Sequence, residues 1–132
     1  MHKIMALDVG TKRIGVALSD FLQVIATPHS CIQRRPENKA IEEIKKIALE
    51  NRVEKIVIGL PKNIDGSIGF QGEDCIKFSQ NFSDFDIILE DERLTSEEAE
   101  ERLRERRIDF RKNKGLVDIE SACVILEQYL GK

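Results

Sequence analysis

The sequence contains few of the residues on which zinc, thiolate and nucleophilic-serine sites depend. Its 132 residues include three cysteines and two histidines. Cys31, Cys75 and Cys123 are far apart and odd in number, so they indicate neither a disulfide framework nor a paired-thiolate metal site. His2 and His29 cannot form a helical pair of zinc ligands, and no serine has a nearby histidine to activate it. Zinc and serine hydrolases are therefore disfavoured, and we expect the cysteines to be small buried residues.

Aromatic residues are also scarce, with one tyrosine, no tryptophan and six phenylalanines. The phenylalanines stand mostly at positions typical of a core, so we expect no platform on which nucleic-acid bases could stack. No element that could read bases in a major groove is evident either. Any recognition of nucleic acid should then depend on the shape of the sugar–phosphate backbone.

Long apolar runs are missing as well. No run approaches the roughly 20 residues needed to span a bilayer. Met1-His2-Lys3 leads directly into a predicted strand, which leaves no room for a signal or transit peptide. Hydrophobic residues make up 41% of the chain and charged residues 34%, which is typical of a globular protein. We expect a single domain over residues 1–132 that stays in the cytoplasm, away from membranes.

Positive charge is concentrated in one segment, although the whole chain has a net charge of −3. Between Arg102 and Lys114 there are seven basic residues and two acidic ones, a local net charge of +5. Such a patch attracts phosphate backbones. The alternative is a solvated helix face whose arginines pair with glutamates one turn back. That alternative does not cover Arg111, Lys112 and Lys114, so we predict that these three bind nucleic acid.

The order of predicted elements is typical of a mixed α/β sheet. Strands are predicted at about 3–9, 14–19, 24–33, 54–59 and 86–91, and helices from Pro36 and over about 73–82, 95–107 and 117–130. Three antiparallel strands followed by alternating helices and parallel strands, summarised as βββαβαβα, predict a ribonuclease H-like sheet of five strands with helices on both faces. The glycine-rich segment Leu60 to Gly72 predicts a long loop at a strand end, where loops often bind ligands.

Three acidic residues stand where an apolar or packed segment should not carry charge. Asp8 ends the run Ile4 to Leu7, Glu92 follows the apolar residues of the fifth strand, and Asp118 opens the last helix. A buried carboxylate is costly unless it is paired or binds a metal, and hard oxygen ligands with few histidines favour Mg²⁺ or Mn²⁺ over zinc. These residues therefore predict a divalent-metal site, with phosphodiester hydrolysis as its chemistry. Asp118 could instead be a helix cap or a partner of the helix dipole, since negative charge is favoured at the start of a helix.

Four ordered blocks of the sequence resemble the YqgF family, which is similar in fold to the RuvC Holliday junction resolvases. The resemblance covers essentially the whole chain. It is carried by the following segments: Asp8-Val9-Gly10-Thr11-Lys12-Arg13-Ile14-Gly15-Val16-Ala17; Gly59-Leu60-Pro61-Lys62-Asn63 with Gly66; Asp91-Glu92-Arg93-Leu94-Thr95; and Lys114 to Asp118 with Ala122, Ile125-Leu126 and Tyr129-Leu130.

The resemblance implies that Asp8, Glu92 and Asp118 form a catalytic metal site. The second member has an alternative in Asp91, which should face the other side of the strand. Two Mg²⁺ or Mn²⁺ ions, roughly 3.5–4 Å apart in such sites, would hold the scissile phosphate and activate water, so that no side-chain base is needed.

Three basic residues lie beside these acids in the sequence, namely Lys12, Arg13 and Arg93. They could neutralise the phosphate and so belong to the nucleic-acid-binding set. Structural pairing with the acids themselves is an equal alternative.

The resemblance gives two candidate substrates, since the family is named both as a Holliday junction resolvase and as a nuclease that matures the 5′ end of pre-16S ribosomal RNA. We place RNA maturation first, in a monomer or weak homodimer that associates with a ribosomal precursor. Junction resolution is the alternative, and a non-catalytic RNA- or ribosome-binding protein is a third. Asp8 to Thr11 also resembles the phosphate-binding hairpin of actin-like ATPases, but those proteins need two such lobes and the chain supplies one.

Overall fold

In the computed structural model the described residues are 1–92 and 95–131, except for the side chains of residues 95 and 96. The strands are β1 (Lys3–Val9), β2 (Arg13–Ser19), β3 (Ala26–Gln33), β4 (Val53–Pro61) and β5 (Asp86–Glu92). The helices are α1 (Glu37–Glu50), α2 (Phe70–Ser79), α3 (Thr95–Glu105) and α4 (Gly115–Leu130), with a 3₁₀ turn at Gln80–Phe82 after α2. Two helices follow β5, so the full order is βββαβαβαα rather than βββαβαβα. Within the described ranges, no helix has the length and apolar character needed to cross a membrane.

The five strands form one sheet in the order β3-β2-β1-β4-β5. The first three strands are antiparallel neighbours, and β4 and β5 run parallel to β1. Short turns can join antiparallel strands, whereas the parallel strands need the helical crossovers that α1 and α2 provide. The predicted mixed sheet is therefore confirmed, with β1 at its centre.

Alternation along β1 divides the core into two layers, because successive side chains of a strand point to opposite faces. Met5 and Leu7 pack on one face with α1 and with the α2 region, whose Phe78 and Phe82 are fully buried. Ile4 and Ala6 pack on the other face. Their partners there are Ala17, Val57, Ala122, Cys123, Ile125 and Leu126. Helices thus cover both faces as predicted, and α3 packs mainly against α4.

Several boundaries differ from the sequence prediction. Helix α2 begins at Phe70, and β4 continues to Pro61, so the predicted loop from Leu60 to Gly72 is reduced to residues 62–69. Within it, Asn63 donates a hydrogen bond to Ser67 Oγ at 2.9 Å, and Gly66 adopts a positive φ of 88°. The loop is therefore a structured turn, because side-chain hydrogen bonds of this kind fix the backbone locally.

The surface carries more exposed apolar and aromatic side chains than the sequence predicts. Leu22, Val24 and Ile25, between β2 and β3, are 72%, 69% and 62% exposed, and Phe70 is 82% exposed. The prediction that the phenylalanines are mostly core residues is right for Phe78 and Phe82 but wrong for Phe70. A pattern of apolar letters does not reveal which residues lie on a loop or at the first turn of a helix. Of the cysteines, two are buried as expected and Cys31 is partly exposed.

Candidate active site

The three predicted acids come together at one edge of the sheet, where β1 and β5 end, on the face that α4 covers. Asp8 follows Ile4 and Ala6 on that face of β1, and Glu92 follows Ile88 on the same face of β5. The pKa of Asp8 is raised well above its ordinary value by burial, and then by the negative charges of Glu92 and Asp118. Burial also raises the pKa of Glu92. The structure therefore brings together three carboxylates that destabilise one another when all are ionised.

Two glycines create the space in which these acids meet. Gly15 pairs with Asp8 across β1 and β2. A Cβ atom at Gly15 would overlap the backbone carbonyl of Asp118, so this glycine allows α4 to approach the sheet closely. A Cβ atom at Gly59 of β4 would lie 2.5 Å from Glu92 Oε2. The missing side chain of Gly59 therefore leaves room for the Glu92 carboxylate beside β4.

The choice between Glu92 and Asp91 follows from strand alternation. Ile87 packs with the α1 layer and Ile88 with the α4 layer, so Asp91 lies on the face away from Asp8. Asp91 is also 4.0 Å from Lys62 Nζ. This placement favours Glu92 as the partner of Asp8.

Asp118 is held by Arg13, whose Nε donates a hydrogen bond to Asp118 Oδ2 at 2.7 Å. This bond raises the pKa of the Arg13 guanidinium. The cap position of α4 is Lys114, without a side-chain cap, so Asp118 is not the cap. Asp118 does lie in the first turn of the helix, so its role as a partner of the helix dipole stays a prediction. The alternative of structural pairing holds for Arg13. Lys12 is exposed at the hairpin turn, and Arg93 lies outside the described residues.

The basic segment is more neutralised than its composition predicts. Arg102 bonds Glu127 at 2.6 Å, and Arg106 lies 2.8 Å from Glu120. Arg104 is 3.6 Å from Glu101, and Arg111 is 3.2 Å from Asp109. Arg102 and Arg104 pair with glutamates one turn back, as the alternative interpretation predicts. Arg102 and Arg106 also pair with glutamates of α4, which that interpretation did not predict. Within residues 1–92 and 95–131, the basic residues of the segment that have no ion pair are Arg107, Lys112 and Lys114.

A cavity of about 430 Å³ opens beside the carboxylates, between α3, the α3–α4 connection and the start of α4. It is lined by Arg13, Glu100, Phe110, Arg111, Lys114, Val117 and Asp118. Of the predicted nucleic-acid-binding residues, Arg13, Arg111 and Lys114 thus surround one space together with Asp118. Lys112 is exposed next to it. Phe110 is a lining residue that the sequence did not suggest, since a lone phenylalanine in a basic segment has no distinguishing pattern.

The donor set suits a hard divalent cation. Across the described ranges, no three Asp, Glu, His or Cys side chains form a ready-made metal cage. Mg²⁺ seldom uses such a cage, because it keeps several waters and binds through one or two carboxylates together with substrate phosphates. Three carboxylates near one another, with the pKa of Asp8 raised by burial and then by the charges of Glu92 and Asp118, provide the negative potential such an ion needs. The residues present therefore fit Mg²⁺ or Mn²⁺.

A buried arginine, which sequence reasoning missed, supports the hairpin that carries Asp8. The Arg34 side chain is 3% exposed and forms two hydrogen bonds with Asp74, at 2.6 and 2.9 Å. It also donates to the carbonyl of Gly10 at 2.9 Å and lies over the Phe78 ring, 5.0 Å from its centre. The signal was its place two residues after buried Ile32, where the alternating pattern predicts an inward side chain.

Comparison with known proteins finds relatives over nearly the whole chain. The sequence model of the RuvX family, described as a Holliday junction resolvase, matches residues 2–132. A Clostridioides difficile protein named "Putative pre-16S rRNA nuclease" is 44% identical over 131 residues, covering 97% of this chain and 93% of the relative. A protein of the same name from Crocosphaera subtropica is 43% identical over 135 residues, covering 98% of this chain and 94% of the relative.

Two solved structures share the fold. Thermus thermophilus RuvC, titled "T. thermophilus RuvC in complex with Holliday junction substrate", superposes with a TM-score of 0.60 at 9% identity, covering 100% of this chain and 98% of that one. Fowlpox virus resolvase, in a complex with substrate Holliday junction DNA, gives a TM-score of 0.59 at 12% identity, covering 98% and 97%. The chain has a ribonuclease H-like fold, as RuvC does, and its sequence matches the family model over nearly its full length. The chain therefore belongs to the RuvX (YqgF) family.

Proposed function

We propose that this chain is a divalent-metal-dependent endonuclease that hydrolyses phosphodiester bonds in the 5′-end maturation of pre-16S ribosomal RNA. The observation that carries the proposal is the convergence of Asp8, Glu92 and Asp118 at one sheet edge, where burial and mutual repulsion raise the pKa of Asp8. Asp118 pairs with Arg13, but no arginine or lysine in the described part of the chain pairs with Asp8, and a strongly perturbed carboxylate of this kind marks a candidate cation site. The chain would act as one domain in the cytoplasm.

Each site residue has a separate role in this proposal. Asp8, Glu92 and Asp118 hold one or two Mg²⁺ or Mn²⁺ ions. Bound metal lowers the pKa of an attacking water and stabilises the leaving oxygen. Arg13 orients the Asp118 carboxylate through its 2.7 Å hydrogen bond. Arg111, Lys112 and Lys114 attract the phosphate backbone beside the cavity. Lys12, at the hairpin turn, and Arg93, next to Glu92 in the sequence, are assigned to the same nucleic-acid-binding set.

RNA is favoured over branched DNA because the relatives that match most of the chain are named as pre-16S rRNA nucleases. Paired cuts across a junction also need two sites held by a symmetric dimer. We propose a monomer or weak dimer with one working site, bound to a ribosomal precursor.

The test is cleavage of two substrates by the purified protein with Mg²⁺ or Mn²⁺: the pre-16S 5′ leader RNA and a four-way DNA junction. We expect cleavage of the RNA, none in the presence of a chelator, and none by Asp8→Asn. Sedimentation over a concentration series is measured in parallel. A tight dimer that cuts the junction in symmetric pairs and leaves the RNA intact would overturn the substrate assignment.

Junction resolution is the second candidate function. It is favoured by the family description and by the fold shared with two resolvases solved on junction DNA. The third candidate, a non-catalytic ribosome-binding protein, predicts RNA binding that is equal for the wild type and for Asp8→Asn, with no cleavage by either.

A further inference from the structure

The cavity beside Asp118 contains an aromatic ring at the surface of an otherwise polar site. Phe110 is partly exposed and lines the cavity, whereas Phe78 and Phe82 are fully buried in the core. The Arg104 guanidinium of α3 lies over the Phe110 ring, 5.5 Å from its centre. A cation at that distance from an aromatic ring is attracted to it and helps to hold it in place. Phe110 is therefore presented to the cavity rather than packed into the core.

We propose that this cavity is a subsite for an unpaired base of the substrate RNA, stacked on Phe110 next to the scissile phosphate. The inference rests on the proposed nuclease function and specifies its substrate as single-stranded at this position. An unpaired base of RNA and an unpaired base of a displaced DNA strand both present a free face for stacking. Bases stack on aromatic side chains without regard to sequence, because every base has a π face.

The size and charge of the cavity support this occupant. A volume of about 430 Å³ lies toward the small end of the range for ligand pockets, which suits a single nucleotide. Lys114 has no ion pair within the described part of the chain and is free to contact a phosphate on either side of the base. Asp118 lies in the same wall, so a base on Phe110 would be adjacent to the phosphate at the carboxylates.

The proposal predicts selection against duplex substrates. A base within a duplex has both faces stacked on its neighbours, so it cannot also cover Phe110 unless it leaves the helix. An unpaired base meets no such cost. The subsite would therefore favour an RNA terminus or loop over a continuous helix.

Glu100 in the cavity wall adds a base preference. A carboxylate accepts hydrogen bonds from the amino groups of cytosine, adenine and guanine, whereas uracil presents the O4 acceptor in the position of the cytosine amino group. Cytosine should thus bind more tightly than uracil, and Glu100→Gln should narrow that difference because an amide can both donate and accept.

The experiment is equilibrium binding of labelled single-stranded and duplex RNA without metal, so that the result does not depend on cleavage. Phe110→Ala should weaken single-strand binding by about 5- to 100-fold, and Phe110→Tyr should stay within about twofold of the wild type because the ring is kept. Duplex binding should change little in either variant. Phe21→Ala is the matched control, since Phe21 is 39% exposed at the opposite end of β2. Unfolding curves establish that each variant is folded.

Equal weakening of single-strand and duplex binding by Phe110→Ala, or no weakening at all, would overturn the subsite. A wild-type protein that cuts no nucleic acid with Mg²⁺ or Mn²⁺ would instead overturn the proposed function, so the two failures are distinguishable. The same oligonucleotide made as DNA separates the sources: tighter binding of RNA supports the assignment, and tighter binding of DNA overturns its RNA part.

Discussion

Two acidic sites next to the β1–β2 hairpin differ in how their negative charge is neutralised. Asp74 receives two hydrogen bonds from buried Arg34, and this partner lowers the pKa of its carboxyl. Burial raises the pKa of Asp8, and the negative charges of Glu92 and Asp118 raise it further. Asp8, Glu92 and Asp118 form what we call the sheet-edge group. In it Arg13 neutralises Asp118, and no arginine or lysine in the described ranges forms an ion pair with Asp8.

Asp74 carries a structural charge, whereas the charges of the sheet-edge group are those we propose to be functional. The two terminal nitrogens of buried Arg34 bond Asp74, and one of them also bonds the carbonyl of Gly10, so the pair ties together the end of β3, α2 and the turn at Gly10. A cluster of like charges costs stability in the folded protein until a cation arrives. A protein keeps such a cluster where a ligand supplies the missing charge, and a strongly perturbed pKa in a cleft is accordingly a mark of a functional site.

The largest expected effect comes from Asp8→Asn, which removes the charge from the sheet-edge group while keeping the shape. Cleavage should fall by roughly 10²–10³-fold or more, as when a charge-stabilising group is deleted from an active site. Without metal, the melting temperature should stay equal or rise, because repulsion with Glu92 and Asp118 is relieved. Steady-state cleavage and thermal unfolding measure the two outcomes, and metal-dependent cleavage at the wild-type rate would contradict the catalytic assignment.

The pH dependence of stability gives the same variant a second readout. Asp8 has a raised pKa in the folded state, so its contribution to stability is present below its ordinary pKa of 3.8 and is lost as the pH rises toward the raised value. The metal-free wild type should therefore lose stability over that range relative to Asp8→Asn. Denaturant unfolding at a series of pH values compares them, and parallel curves would refute the raised pKa.

Asp118→Asn should also abolish cleavage. Its effect on stability should be small, since the pair with Arg13 is partly exposed and such pairs contribute about 1 kcal/mol or less. A protein that unfolds on this change would show that the contact between α4 and β2 depends on the carboxylate. Asp118 would then be a structural charge, like Asp74, rather than a member of the proposed metal site.

Asp74→Asn makes the converse change, in the structural group. It leaves the buried Arg34 charge without its bidentate partner, so the free energy of unfolding should fall by about 2 kcal/mol. Cleavage per folded molecule should be kept. Because the pKa of Asp74 is lowered, its contribution to stability is present above its ordinary pKa of 3.8 and is lost as the pH falls through the lowered value. Unfolding in denaturant near pH 7 and below pH 4 tests both statements, and an unchanged stability would refute the structural assignment.

The smallest effect is expected from the lysines of the basic segment. Replacing Lys112 and Lys114 with glutamine should weaken RNA binding with little dependence on sequence, and each lost phosphate contact should reduce the log–log salt slope by roughly 0.7 to 0.9. Adding Arg111→Gln should contribute less, because Arg111 already pairs with Asp109. Binding measured over a salt series decides this, and an unchanged slope would assign both lysines to solvent.

The fold was largely predictable because its signals are local. Alternation in β1 and the helical repeat of Ile44 and Ala48 specify which side of each element is buried, and this pattern survives in the structure. Helix boundaries were less predictable. Phe70 and Gly115 each begin a helix that the pattern placed two or three residues later, because the first turn of a helix lacks the full repeat.

The sequence predicted which acids the fold brings together, but not which cations pair with them. A charge after a buried strand is visible in the sequence, whereas the preference for Glu92 over Asp91 came from the family resemblance. Which arginine pairs with which acid depends on tertiary contacts, so the partners of Arg13 and Arg34 could not be read from the sequence. Phe110 was missed for the same reason, since its role comes from the cavity around it.

We propose that the sheet-edge carboxylates, and not the Arg34–Asp74 group, form the divalent-metal site. Titration calorimetry with Mn²⁺ on the wild type, Asp8→Asn and Asp74→Asn tests it directly. We expect binding to the wild type and to folded Asp74→Asn, and loss of binding in Asp8→Asn. Equal Mn²⁺ affinity in Asp8→Asn and the wild type would contradict the claim.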